Sequence, residues 1–325
     1  MSTFCRHGTQ VESCPICRGA VQDAQREAAG AALRRAVRRG PATSSLRPRA
    51  ASAARAGRLT IRHETRSTDD GFRSTVAPGL RSSADAERLA QALAGASARI
   101  ELLARDPPGL YREVANAADV EEAAWLAFEI ALIGPLEDAP DPFASIDEVR
   151  TGWAGGGLPD LARAEPGPRG SLAGGRGEET LGAYRRWVER AGSQAAAFAG
   201  DASWSPAQRF ERVFERLALP ALERRARFDL LLTLGACGRF PLVAASLLLV
   251  DDDPVMRAAK RVFGIGDRMT LERRVRELAA ASALPVGAFD LALDGWGAGA
   301  TLSAGTPGAH DESALERARD ALGVG

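Results

Sequence analysis

RFDLLLTLGACGRFPLVAASLLLVDDDPVMRAAKRVFGIGD, residues 227–267, is a set of apolar runs separated by three punctuation marks. The first run, Phe228 to Leu234, has helical character and stops at the tight turn Gly235-Ala236-Cys237-Gly238. Glycine tolerates the positive φ that such a reversal needs. A second apolar run starts at Phe240-Pro241 and reaches about Val250, and proline suits the first turn of a helix because its missing N–H costs nothing there. The pattern predicts a helix, a glycine hairpin and a second helix. A helix N-terminus with unpaired N–H donors favours a phosphate, which makes Gly235, Cys237, Gly238 and Arg239 candidate nucleic-acid contacts. Asp253 is then a natural N-cap, with Pro254 at the first position of a third helix that closes at Gly264-Ile265-Gly266. Lys260 and Arg261 on that helix are further candidates for phosphate contact.

Outward from this stretch the chain reads as all-α. Its 325 residues are 45% hydrophobic and 6% aromatic, and Ala, Leu, Arg and Glu dominate over the β-branched residues that strands prefer. Helices are expected around 84–104, 110–116, 119–133, 178–199 and 205–222, with a long glycine- and proline-rich loop at 155–176 beside the DNA or the pocket. The tail 298–325 is expected to be flexible, apart from a short helix at 312–322. Leu242 to Val250, the longest apolar run, is too short to cross a bilayer, and the N-terminus lacks the apolar core of a signal peptide. A cytoplasmic monomer with no membrane association is expected.

The first eighty-odd residues differ in character. Residues 1–82 hold 15 arginines against 6 acids, although the whole chain is formally neutral. An arginine-rich arm attracts phosphate independently of sequence. Arginine excess also follows from GC-rich coding, Lys260 being the only lysine, so it is the clustering that favours the DNA reading. Cys5, His7, Cys14 and Cys17 have the spacing C-x-H-x6-C-x2-C, four soft ligands within reach of one zinc ion in a peptide too short to fold alone. Four ligands leave no open position for water, so the zinc is expected to be structural. The expected organisation is a zinc knuckle at 1–20, a basic helix and flexible linker at 21–83, a core domain at 84–297 and the tail.

With Leu234-Gly235-Ala236-Cys237-Gly238 as the hairpin and Phe263-Gly264 as the end of the following helix, the stretch resembles the helix-hairpin-helix DNA glycosylases. Residues Ala258 to Asp267, Leu271 to Arg274, Phe289 to Leu293 and Trp296 resemble, more narrowly, the subfamily labelled alpha-glutamyl/putrescinyl thymine pyrophosphorylase. So do Trp125 to Phe128, Gly134 to Leu136, Asp141 to Phe143 and Tyr184 to Trp187. The resemblance spans about 84–296. It implies a two-lobed helical fold and removal of bulky modified bases from phage DNA as antiviral defence. The family's catalytic aspartate falls on Asp253, with Asp251 and Asp252 as alternatives because the loop after the hairpin is short.

In such an enzyme the base leaves its stack, and a carboxylate stabilises the oxocarbenium-like sugar while water attacks C1′. An aspartate at a helix N-terminus suits that task, although the same residue can simply cap the helix. Glycosylases that also cut the strand use a lysine amine. The run after this hairpin is Arg239-Phe240-Pro241, so a monofunctional enzyme leaving an abasic site, with no catalytic cofactor, is expected on double-stranded DNA. Tyr184 and Trp187, three apart beside Arg185 and Arg186, are candidates for the base pocket together with Trp125 and an inward Glu129. Arg209 and Arg227 are expected on phosphates or acids. Two other readings stay open: a transferase that replaces (pyro)phosphate on an activated hydroxymethyl pyrimidine with an amine, and a DNA-binding module without enzymatic activity.

Overall fold

A computed structural model of the chain describes residues 67–172 and 175–324. The expected zinc ligands Cys5, His7, Cys14 and Cys17 and the expected basic helix at 21–39 lie outside the described residues. Among the described residues there are twelve α-helices and no strand, as the composition predicts. No helix among them is long and apolar enough to cross a membrane.

In chain order the helices are α1 (Ser83–Arg105), α2 (Gly109–Asn116), α3 (Val120–Ile133), α4 (Ala144–Val149), α5 (Gly177–Ala191) and α6 (Gln194–Ala199). They continue as α7 (Pro206–Arg216), α8 (Arg224–Ala236), α9 (Pro254–Phe263), α10 (Arg268–Ser282), α11 (Ala288–Ala298) and α12 (Glu312–Leu322). Their starts follow local chemistry. Ser205 and Gln208 form a reciprocal capping box ahead of α7, while Asp253, Asp267 and Asp311 each accept a backbone N–H at the start of α9, α10 and α12. The single helix expected at 178–199 is two, broken at Gly192-Ser193, where Ser193 caps α6.

Helix α3 is nearly all apolar and buried on most sides. It packs against α2 and α8, while α1 packs against α11 and α12, and α9 against α11. The glycine-rich loop closes the end of α3: Gly167 N–H donates to Ile133 O at 3.0 Å and Ser171 N–H to Leu132 O at 2.7 Å, filling carbonyls that a helix end leaves open. The backbones lie so close there that a Cβ on Gly170 would stand 2.0 Å from Ile133 O.

Three expectations are corrected. The tail is packed rather than loose: Tyr111 Oη donates to Ala304 O at 2.8 Å, Glu137 accepts Ser303 and Ala304 N–H, and Arg319 pairs with Glu87. The packed chain also begins before residue 84, since Ala77 and Leu80 are buried.

The third correction concerns residues 240–250, which form no helix. Leu242, Ala244 and Ser246 are buried while Pro241 and Val243 are exposed, the period-two burial of an extended segment. Its backbone groups are satisfied from elsewhere. Glu272 of α10 accepts Leu247 N–H at 2.8 Å and Leu249 N–H at 2.9 Å, Arg224 of α8 donates to Leu247 O at 2.7 Å, and Val243 N–H donates to Pro206 O at 3.2 Å. Leu248, between the two bonds to Glu272, sits at φ 52°, where a right-handed helix cannot pass. Tertiary hydrogen bonds have overridden an apolar helical pattern.

Candidate active site around Asp253

The glycine turn after α8 is a Schellman C-cap. Gly238 takes φ 69°, its N–H donates to Gly235 O at 3.0 Å, and Arg239 N–H donates to Leu234 O at 2.9 Å. Phe240 N–H also donates to Leu234 O, at 3.3 Å. The donors expected to cradle a phosphate are therefore spent within the turn, and no second helix supplies an N-terminus. The side chains turn inward as well. Arg239 donates to Ala115 O at the end of α2, and burial pushes the Cys237 thiol up to about 11, so it stays protonated at neutral pH.

Beyond this turn lies the aspartate triplet. Asp251 and Asp252 are exposed, whereas Asp253 is 8% exposed. Asp253 Oδ1 accepts Val255 N–H at 2.7 Å, capping α9, and Oδ2 accepts Arg224 Nε at 2.8 Å. Arg224 also pairs with Asp290 of α11. Asp290 and Asp294 are one helical turn apart and face the same way. Asp294 accepts Arg169 Nη1 at 2.6 Å and Arg225 Nη1 at 3.0 Å. Arg169, delivered by the glycine-rich loop, grips Asp229 of α8 with Nε at 2.6 Å and Nη2 at 3.1 Å, and pairs with Asp290.

Three arginines and four aspartates thus form one connected cluster beneath the surface. Charges removed from water need such mutual pairing. Burial opposes ionisation of Asp290, but Arg224 and Arg169 together outweigh it and hold the carboxyl below the usual carboxylate range. Burial likewise opposes the Arg169 charge, and its three aspartates together raise it well above the ordinary value. Arg224 and Arg225 stand in the first turn of α8, where the helix dipole disfavours cations, so the facing carboxylates also correct that end.

The sequence singles out Asp253 as a candidate but marks no role for Arg169, Arg224, Asp229, Asp290 or Asp294. The signal in the sequence was Asp290 and Asp294, four apart in the otherwise apolar run FDLALD, which calls for buried partners.

The expected base-pocket residues lie elsewhere, in the core. Trp125, Tyr184 and Glu129 are wholly buried and Trp187 is 6% exposed. Tyr184 stacks on Phe128 with centroids 3.7 Å apart, and its hydroxyl donates to Gln194 Oε1 at 2.6 Å. Trp187 packs edge-on to Phe198, and Trp125 Nε1 donates to Thr151 O. These rings pack on one another, leaving no flat face open to a base. Glu129 Oε1 accepts the Thr151 N–H and hydroxyl, Oε2 has no partner among the described residues, and burial pushes the carboxyl up to about 7. Thr151, with Glu113, Asn116, Glu122 and Arg150, walls a surface depression of about 520 Å3.

Arg209 and Arg227 serve the fold. Arg209 bridges the carbonyls of Ala199, Asp201 and Pro241, and Arg227 lies over the Phe214 ring, where burial pulls it down to about 10. Lys260 is exposed, whereas Arg261 stacks on Trp296 at 4.7 Å. Among the described residues no group of three or more His, Cys, Asp or Glu is placed to hold a metal ion.

No family model matches the chain, and no curated protein or solved structure matches it.

Proposed function

We propose that this protein is a monofunctional DNA glycosylase that excises a bulky modified base from foreign DNA. The observation that carries the reading is the setting of Asp253, a carboxylate just under the surface and fixed at both oxygens, at the position the glycosylase resemblance marks as catalytic. Two hydrogen bonds use half of the acceptor capacity of a carboxylate, and the remaining lone pairs are available to a sugar. The carboxylate stabilises positive charge at C1′ as the C1′–N bond breaks and the base departs with the bonding electrons. Water then adds to C1′, and its proton leaves to solvent or to the base. The sole lysine lies seven residues beyond Asp253 and faces solvent, which favours an abasic product without strand cleavage. The arginine-rich residues 1–82 supply general attraction to DNA, and a structural zinc at Cys5, His7, Cys14 and Cys17 completes the assignment.

The test incubates wild type, Asp251→Asn, Asp252→Asn and Asp253→Asn with unmodified and hypermodified phage DNA and detects free bases by mass spectrometry. Wild type releases a modified base without cofactor or amine, and Asp253→Asn is slower by about 100-fold or more. Absence of base release from every DNA overturns the assignment. Amine-dependent chemistry that leaves the glycosidic bond whole establishes the transferase instead. Elemental analysis of the same preparation should return one zinc per chain.

A further inference from the structure

The turn between α9 and α10 and the first turn of α10 carry the two most exposed large apolar side chains among the described residues. Ile265 is 97% exposed and Met269 79%. Neither packs against the core, yet their neighbours Phe263 and Leu271 are wholly buried. Two such side chains four residues apart offer an apolar surface for contact. Cations surround them. Lys260 lies on the solvent face of α9, Arg268 opens α10, and Arg276 stands two helical turns beyond Met269 on the same face. Arg274 Nη1 would lie 3.5 Å from a Cβ on Gly264, so its guanidinium rests beside the turn. Among the described residues none of these four cations has an acidic partner, whereas Arg273 is paired with Glu277. Glu272 is buried on the 240–250 segment and Glu277 pairs with Arg273, so Asp267, the exposed cap of α10, is one carboxylate set among four cations.

We propose that this turn is a second DNA contact, at the opposite end of α9 from Asp253. Lys260, Arg268, Arg274 and Arg276 meet phosphates, while Ile265 and Met269 press against sugar and base faces. An excess of positive charge around apolar tips is the chemistry of side chains that wedge into a duplex. The ten residues of α9 separate the turn from Asp253 by about 15 Å, so it forms a contact distinct from the sugar site. Naming DNA as the partner rests on the glycosylase reading, and the test separates the two.

The experiment uses the full chain and a labelled, unmodified DNA duplex, with affinity measured across a salt series. The variant Lys260→Gln/Arg268→Gln/Arg274→Gln/Arg276→Gln should lower the slope of log Kd against log salt by about 0.9 for each phosphate left without its cation, roughly 3 to 4 in all. The variant Ile265→Ser/Met269→Ser should weaken binding about tenfold at an unchanged slope. Five of the six positions are exposed and Arg274 is half-buried, and circular dichroism should show native helix content for both variants. An unchanged slope in the first variant, or wild-type affinity in the second, overturns the proposal. So does binding to anionic phosphatidylglycerol vesicles that depends on these residues while duplex binding does not. Base release measured alongside keeps the readings apart: activity with indifferent tip variants sinks only the second contact, and tip-dependent binding without base release sinks only the glycosylase.

Discussion

Asp253→Asn compared with Asp253→Ala separates the two structural roles of this side chain. Asparagine keeps an oxygen for Val255 N–H but turns an amide NH2 toward Arg224 Nε, donor against donor. Breaking a buried ion pair with its partner left in place costs about 3–5 kcal/mol. Two features hold this case to the lower end. Arg224 retains Asp290 and the Leu247 carbonyl, and losing one negative charge balances a cluster in which three arginines face four aspartates. The expected loss is about 3 kcal/mol for asparagine, and about 1 kcal/mol more for alanine, which also removes the cap. With a urea m-value of about 3 kcal/mol/M, the asparagine midpoint should fall by about 1 M when unfolding is followed by circular dichroism. Asp251→Asn and Asp252→Asn change exposed groups and should stay within about 0.5 kcal/mol of wild type. A wild-type midpoint for Asp253→Asn, or equal midpoints for asparagine and alanine, would refute the reasoning.

Arg169→Met leaves Asp229 without its partner and takes one of two cations from each of Asp290 and Asp294, and thermal denaturation should show a larger loss than Asp253→Asn, about 4–5 kcal/mol, if the cluster is one unit. Glu129 gives a pH dependence: its native carboxyl at about 7 lies above the ordinary 4.5, so the folded state holds the proton more tightly. That stabilisation is complete below about pH 4.5 and is lost as pH rises through 7, roughly 3 kcal/mol in all, and Glu129→Gln should flatten this part of the stability–pH curve. Gly235→Ala places a Cβ 2.2 Å from Leu242 O, a backbone atom that cannot swing aside, and should destabilise by about 2–3 kcal/mol in urea titration.

How much was legible depended on where each element's bonds come from. The start of α9 was readable because DDDP carries its own cap and its own first-turn proline. The end of α8 was readable because the glycine at φ 69° closes hydrogen bonds within its own turn. Residues 240–250 were not, because their partners are Glu272, Arg224 and Pro206, each more than twenty residues away from the atoms they satisfy. Arg169 was invisible for the same reason, since nothing in a glycine-proline loop marks one arginine as the centre of a buried cluster. Tyr184 and Trp187 were read for their flatness, and a flat ring serves a core as well as a base.

The delivery of Arg169 by an irregular loop ties that loop to the buried ion pairs of α8 and α11. If residues 167–171 lifted away, Asp229, Asp290 and Asp294 would lose their shared cation while the carbonyls at the end of α3 lost their donors. Local opening there therefore breaks the ion pairs and the helix-end hydrogen bonds together. In hydrogen exchange the amides of Gly167 and Ser171 should persist as long as those of the α8 core, and a protease should find no early cut at this segment despite its glycine-rich composition. The loop and the helices it clamps then behave as one cooperative unit, and regular secondary structure is a poor guide to where this chain comes apart first.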